Sequence, residues 1–252
     1  MQIGRRPPNF RGKSVNNRDC GAILSGHPFD LQDCLESLPL PHDPWVEKWK
    51  IGETECFILR SNGFAQLQDN TAIWEAAKLL TIRINGALAA FRKAEPLTID
   101  GIAERQADST TTKHIIFAVG SGHVKVRAGT ISPSPPAGPT LVQQWLDLAN
   151  ENDLVEDLLM HLSVPPNWYD LYKAYEVIRG LSGGEKRLWA RDWCPSDKTL
   201  SGFKHTANVY RHSLTHPSRQ NPPSNPIPIY GAREMILSMA KQILQELYLA
   251  QR

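Results

Sequence analysis

Apolar residues fall in short, strand-like runs in the first half of the chain and at helical spacing in the second. The run TECFILR, with Phe57, Ile58 and Leu59 leading into the turn Ser61-Asn62-Gly63, predicts a strand. From Thr71 to Lys93 the positions Ile73, Ala77, Leu80, Ile84, Leu88 and Phe91 share one side of a helix, as expected of an element crossing a sheet. Three β-like runs follow, Leu97–Ile102, His114–Val119 and His123–Thr130. In the last of these Val124, Val126 and Ala128 alternate with Lys125 and Arg127, the pattern of a strand wet on one face, and Gly120-Ser121-Gly122 predicts a hairpin turn before it.

Residues 132–139, SPSPPAGP, fit neither a helix nor a central strand and predict a stiff linker. Beyond it the pattern is helical. Thr140 with Gln143 has capping-box spacing ahead of an apolar stripe (Leu141, Trp145, Leu148, Val155, Leu158, Leu159, Leu162) that stops at Pro165-Pro166. Asn167 with Asp170 starts a second helix with Trp168, Leu171, Tyr172, Tyr175 and Ile178 inward, broken by Gly180, Gly183 and Gly184. A short helix from Glu185 to Trp193 is expected next, then a helix from Phe203, a Pro- and Asn-rich loop, and a last amphipathic helix from Gly231 to Leu249 without a side-chain cap. Residues 1–20 predict a flexible basic arm, 21–131 an α+β domain with one helix and a small antiparallel sheet, and 140–252 an all-α antiparallel helical bundle.

With 252 residues, 41% of them hydrophobic, the chain has enough apolar material for a core in each part, and its net charge of +2 carries no message as a total. Its distribution does. Residues 141–178 hold seven acids against Lys173, whereas 179–219 hold eight bases against three acids. A basic segment of that kind suits a phosphate-bearing partner. Cys20, Cys34, Cys56 and Cys194 show no metal-binding or disulfide spacing and predict reduced thiols, and no stretch has the length of a membrane span, so a cytoplasmic protein without membrane contact is expected.

Several short motifs lack their context. Gly12-Lys13-Ser14 has Pro7 where a phosphate loop needs its first glycine, and Leu181-Ser182-Gly183-Gly184-Glu185, the signature loop of ABC-type ATPases, has no phosphate loop or acidic strand to work with. His114 and His123 read as polar strand-end residues. His205, His212 and His216 lack a neighbouring carboxylate or thiol, so no metal and no cofactor is expected.

The segment from Phe203 to Pro217, FKHTANVYRHSLTHP, is where histidine, arginine and helical periodicity coincide. Phe203, Ala207, Tyr210 and Leu214 form a stripe expected to be buried; His205, His212 and His216 lie opposite it and Arg211 between. Arg211-His212-Ser213-Leu214-Thr215-His216 is an Arg-x4-His pattern at the end of a helix, with an aromatic-rich helix (WYDLYKAYEVI) upstream and a long amphipathic helix closing the chain. In this arrangement residues 140–252 resemble the HEPN superfamily, helical bundles that include many metal-independent ribonucleases. His212 stands where that family most often has Asn or Asp.

The resemblance implies an endoribonuclease, a toxin or defence effector by role, whose site forms where two protomers pair. Arg211, His216 and His212 are its catalytic candidates, and Lys204, His205, Asn208 and Arg219 the candidates for holding RNA or a nucleotide. A HEPN-like module that binds without cutting, and an interaction protein using the histidine face as a dimer surface, are the rival expectations.

Overall fold

The computed structural model describes residues 18–106, 111–115, 138–211 and 224–251. Its first part is a five-stranded antiparallel sheet in the order β2-β3-β1-β4-β5, formed by β1 (Asp19–Ser25), β2 (Trp45–Ile51), β3 (Thr54–Arg60), β4 (Thr98–Arg105) and β5 (Thr111–Ile115). β3 and β4 are where the sequence places them, to within a few residues at the ends. β1 and β2 were not expected. Asp19 and Cys20, assigned to the flexible arm, instead open the central strand, opposite Arg105 and Glu104. The remainder of the arm, and the hairpin with His123, lie outside the described residues.

Local chemistry sets the boundaries. Gly52, at φ 60°, turns the β2–β3 hairpin in a two-residue loop, a conformation open to glycine. Helix α1 (Pro28–Ser37) starts with Pro28 in its first turn, where a missing N–H costs nothing, and His27 accepts from the Phe29 amide. Helix α2 (Asn70–Arg92) is capped by Asp69, whose carboxylate accepts from the Ala72 amide at 2.8 Å. Near its far end the buried amide of Asn85 exchanges two 2.9 Å hydrogen bonds with the Leu97 backbone, and so fixes the start of β4.

On the inner face of the sheet Ala22, Leu24, Val46, Leu59 and Ile102 pack with α2 residues Ile73, Ala77, Ile84 and Leu88 in one core. The outer face holds a smaller cluster of Ile23, Trp49, Ile58 and Ala103. There the Trp49 ring is flanked by the guanidinium groups of Arg60 and Arg105, 4.8 and 4.2 Å from its centroid, and both arginines pair with Asp19. Gly21 leaves the path open: a Cβ there would meet the Arg60 stem at 2.6 Å.

The helical part comprises α3 (Leu141–Glu151), α4 (Asp153–Leu162), α5 (Trp168–Leu181), α6 (Glu185–Trp189), α7 (Asp197–Arg211) and α8 (Ile229–Ala250). The Thr140–Gln143 capping box and the Asn167 cap are formed as expected. The stripe from Leu141 to Leu162 is two helices. Asn152, in extended conformation, ends the first, and its side chain accepts from the Leu154 amide to start the second. The short helix stops at Trp189, before the expected Trp193, and α7 starts at Asp197, six residues earlier than Phe203.

The parts on either side of residues 132–139 share one core. From Ile84 to Ala90 α2 is buried at every position, because α4 packs against the side turned away from the sheet. Gly86 makes this approach possible, since a Cβ on it would sit 2.0 Å from the Leu159 carbonyl oxygen. Arg83 binds Glu156 and Asn150 beside that contact. Gln143, fully buried, donates to the carbonyls of Pro39, His42 and Pro44 and anchors the α1–β2 loop to α3. Among the described residues no helix is long and apolar enough to cross a membrane.

Candidate functional site

Helices α5 and α7 run antiparallel and meet through aromatic rings. Phe203, fully buried, contacts Tyr175 edge-on at 5.8 Å, Tyr172 at 6.5 Å and Trp168 at 6.4 Å between centroids. Two turns further along α7, Tyr210 stacks on Trp168 at 5.8 Å and 20°. Tyr210 was expected in the buried stripe with Phe203 and Ala207. It is 41% exposed, because its stacking partner Trp168 is the first residue of α5 and the ring lies on the rim of the seam. The fourth stripe residue, Leu214, lies outside the described residues.

Beside this seam Lys204, Asn208 and Arg211 recur at i, i+4 and i+7 and form one polar stripe facing α5 and α6. The Arg211 guanidinium lies 3.9 Å from the Tyr172 ring centroid, within cation–π range, and makes no ion pair among the described residues; its Nε is buried without a hydrogen-bond partner. The buried Asn208 Oδ1 also has none. Lys204 is committed: its ammonium bonds the Glu185 carboxylate at 2.8 Å and lies over the Trp189 ring. That hydrogen bond holds the Glu185 carboxyl below its ordinary range. Burial, reinforced by the Glu185 charge, pushes the Tyr175 phenol up to about 12.

The stripe thus joins three of the seven candidate residues, Arg211, Asn208 and Lys204. His205 is exposed and sits about 240° around the helix from Arg211, so the described part of α7 does not bring them together. His212, His216 and Arg219 lie outside the described residues, as do the imidazole of His114 and the whole of His123. Among the described residues no three His, Cys, Asp or Glu side chains gather as a metal site would require.

The sequence reading missed Tyr172 as the seat of Arg211 and Glu185 as the partner of Lys204. The first had a visible signal, since Trp168, Tyr172 and Tyr175 repeat at helical spacing and a later helix carries an arginine beside its own aromatic stripe. The second had none, because Glu185 follows a double-glycine break whose course only the fold determines. Comparison of the chain with protein-family models, with curated proteins and with solved structures gave no match.

Proposed function

We propose that the α5–α7 face binds RNA, and that the helical part acts as a HEPN-type, metal-independent endoribonuclease in which two copies of the chain share a site. The observation that carries this reading is Arg211, the last described residue of α7, a cation that is oriented by an aromatic ring and unpaired with any described carboxylate. A guanidinium held this way keeps its donor fork for phosphate oxygens and remains charged throughout a reaction.

In the mechanism, His216 of one protomer takes the proton from a ribose 2′-hydroxyl, and the oxygen attacks phosphorus. The 5′-oxygen leaves with a proton from His216 of the partner subunit. The products are a 2′,3′-cyclic phosphate and a 5′-hydroxyl. Arg211 braces the charge gathering on the phosphoryl oxygens, and His212 positions the phosphate. Imidazole suits both proton transfers because it titrates near neutrality.

A second reading, binding without cleavage, draws support from the Trp168–Tyr210 stack at the rim, where an unpaired base has a ring to lie on. Mixed RNA incubated with purified protein in EDTA separates the two. Cleavage is expected with the wild type and should fall about 100-fold in Arg211→Ala and His216→Ala. Binding that depends on Arg211 with no cleavage assigns the second reading. Cleavage undiminished in both variants would remove the proposed site altogether.

A further inference from the structure

Trp189 closes the short helix α6 with 47% of the residue exposed, directly after Leu188, which is fully buried and ties the helix to the core. A large ring left half in water forgoes the apolar burial that would explain it as part of the fold. Its surroundings are basic. Lys186 and Arg187 are exposed on the same helix, and the Lys204 ammonium of α7 lies 5.8 Å from the Trp189 ring centroid, held there by the Glu185 carboxylate at 2.8 Å.

Lys204 and Arg211 are seven residues apart on α7, which sets them about 10 Å apart along the axis and within about 20° of the same direction around it. Each cation has a ring for a neighbour, Tyr172 at 3.9 Å for Arg211 and Trp189 for Lys204. The two rings differ in what they leave open. Tyr172 is half-buried and stacks on Phe203, so it serves as a support for Arg211, whereas Trp189 packs against no other aromatic ring among the described residues. Rings interleaved with cations along one face suit an unpaired nucleic-acid strand, which lays its bases on the rings and its phosphates on the charges.

We propose that Trp189 is a second base seat of the α5–α7 face, so that one unpaired strand runs along α7 with a base on Trp189 and a phosphate on Arg211. This rests on that face binding RNA, and adds that the RNA must be single-stranded there, because a base stacked within a duplex has both faces covered. Between the two seats the strand meets the Lys204–Glu185 pair. The carboxylate opposes a phosphate, and the ammonium, which has three donors, is what the phosphate draws on.

The test is binding of a fluorescent 2′-O-methyl oligonucleotide, which cannot be cleaved through its 2′-oxygen, to the full chain, as a single strand and as a duplex with its complement. The wild type should prefer the single strand. Trp189→Ala should weaken that binding about tenfold, and Trp189→Phe, which keeps a ring, should recover most of it. Glu185→Gln releases Lys204 and should tighten binding several-fold with a steeper salt dependence, so the proposal stays testable should Trp189→Ala fail to fold. Binding that is lost in Arg211→Ala but unchanged in Trp189→Ala leaves the RNA-binding face standing and overturns the second seat. Equal affinity for strand and duplex, no recovery in Trp189→Phe, or no tightening in Glu185→Gln overturns it as well. No binding of either form, or of the unmodified strand, by the wild type removes the face and the seat together.

Discussion

The α2–α4 and α5–α7 seams are both helix contacts, and they are built on opposite principles. Between α2 and α4 the backbones themselves touch, through Gly86 and the Leu159 carbonyl, and the polar groups alongside are paired, Arg83 with Glu156 and Asn150. Between α5 and α7 five rings hold the helices apart, and the polar stripe beside them keeps groups in reserve, with Arg211 on a ring and Asn208 Oδ1 unbonded. A seam whose donors and acceptors are all spent serves the fold. One that leaves a charged donor uncommitted, at a stability cost, is the better place to look for a ligand.

Substitutions test that contrast, beginning with the most severe. Gly86→Val should cost more than ~4 kcal/mol, read as loss of the cooperative urea transition, because no rotamer relieves a collision between a Cβ and the Leu159 backbone. Phe203→Ala should cost about 3 kcal/mol through the cavity it leaves among Trp168, Tyr172 and Tyr175. Asn152→Ala, which uncaps α4, should cost about 1 kcal/mol by the same measurement.

Arg211→Ala should cost less than ~1 kcal/mol while abolishing RNA binding or cleavage. A stability loss equal to that of Phe203→Ala would make Arg211 a structural residue and collapse the distinction between the seams. The smallest effect is confined to alkali. The phenol of Tyr175 is pushed up to about 12 in the folded chain, above its ordinary value of about 10, so its contribution is present in full below pH ~10 and is lost as pH climbs through about 12. Urea midpoints should therefore fall more steeply between pH 10 and 12 in the wild type than in Tyr175→Phe.

Elements announced by their own residues were legible in the sequence. Strand β3 had an unbroken apolar run, and α5 a cap and a regular inner face. The missed strands carry their signal across space. In β2 Trp49 and Glu47, two residues apart, share a face, and Arg60 from the neighbouring strand covers the ring and pairs with the acid. No hydrophobic alternation along β2 records that arrangement. The run Cys20–Leu24 was too short to stand out, yet it becomes central once β3 and β4 enclose it.

For α2 the one-sided stripe was real but incomplete. Leu80 and Phe91 are only half-buried, and the small residues Gly86, Ala87, Ala89 and Ala90, which betray a second packed face, went unread. At the site, periodicity found the Lys204–Asn208–Arg211 helix but gave the wrong exposure for Tyr210, because helical spacing does not say where a partner helix ends. The expectation of separate domains rested on a proline-rich stretch, and composition there gives no account of Gly86 or Gln143, which join what lies on either side.

Strand β1 bears on the order in which this chain is made. Its register sets Asp19 against Arg105, so β1, the first of the described strands, gains its last neighbour only after 86 further residues have emerged. Until then one flank of β1 offers bare amide and carbonyl groups to any passing β-segment. A chain stopped before Thr98 therefore keeps that flank of β1 bare, an edge open to aggregation.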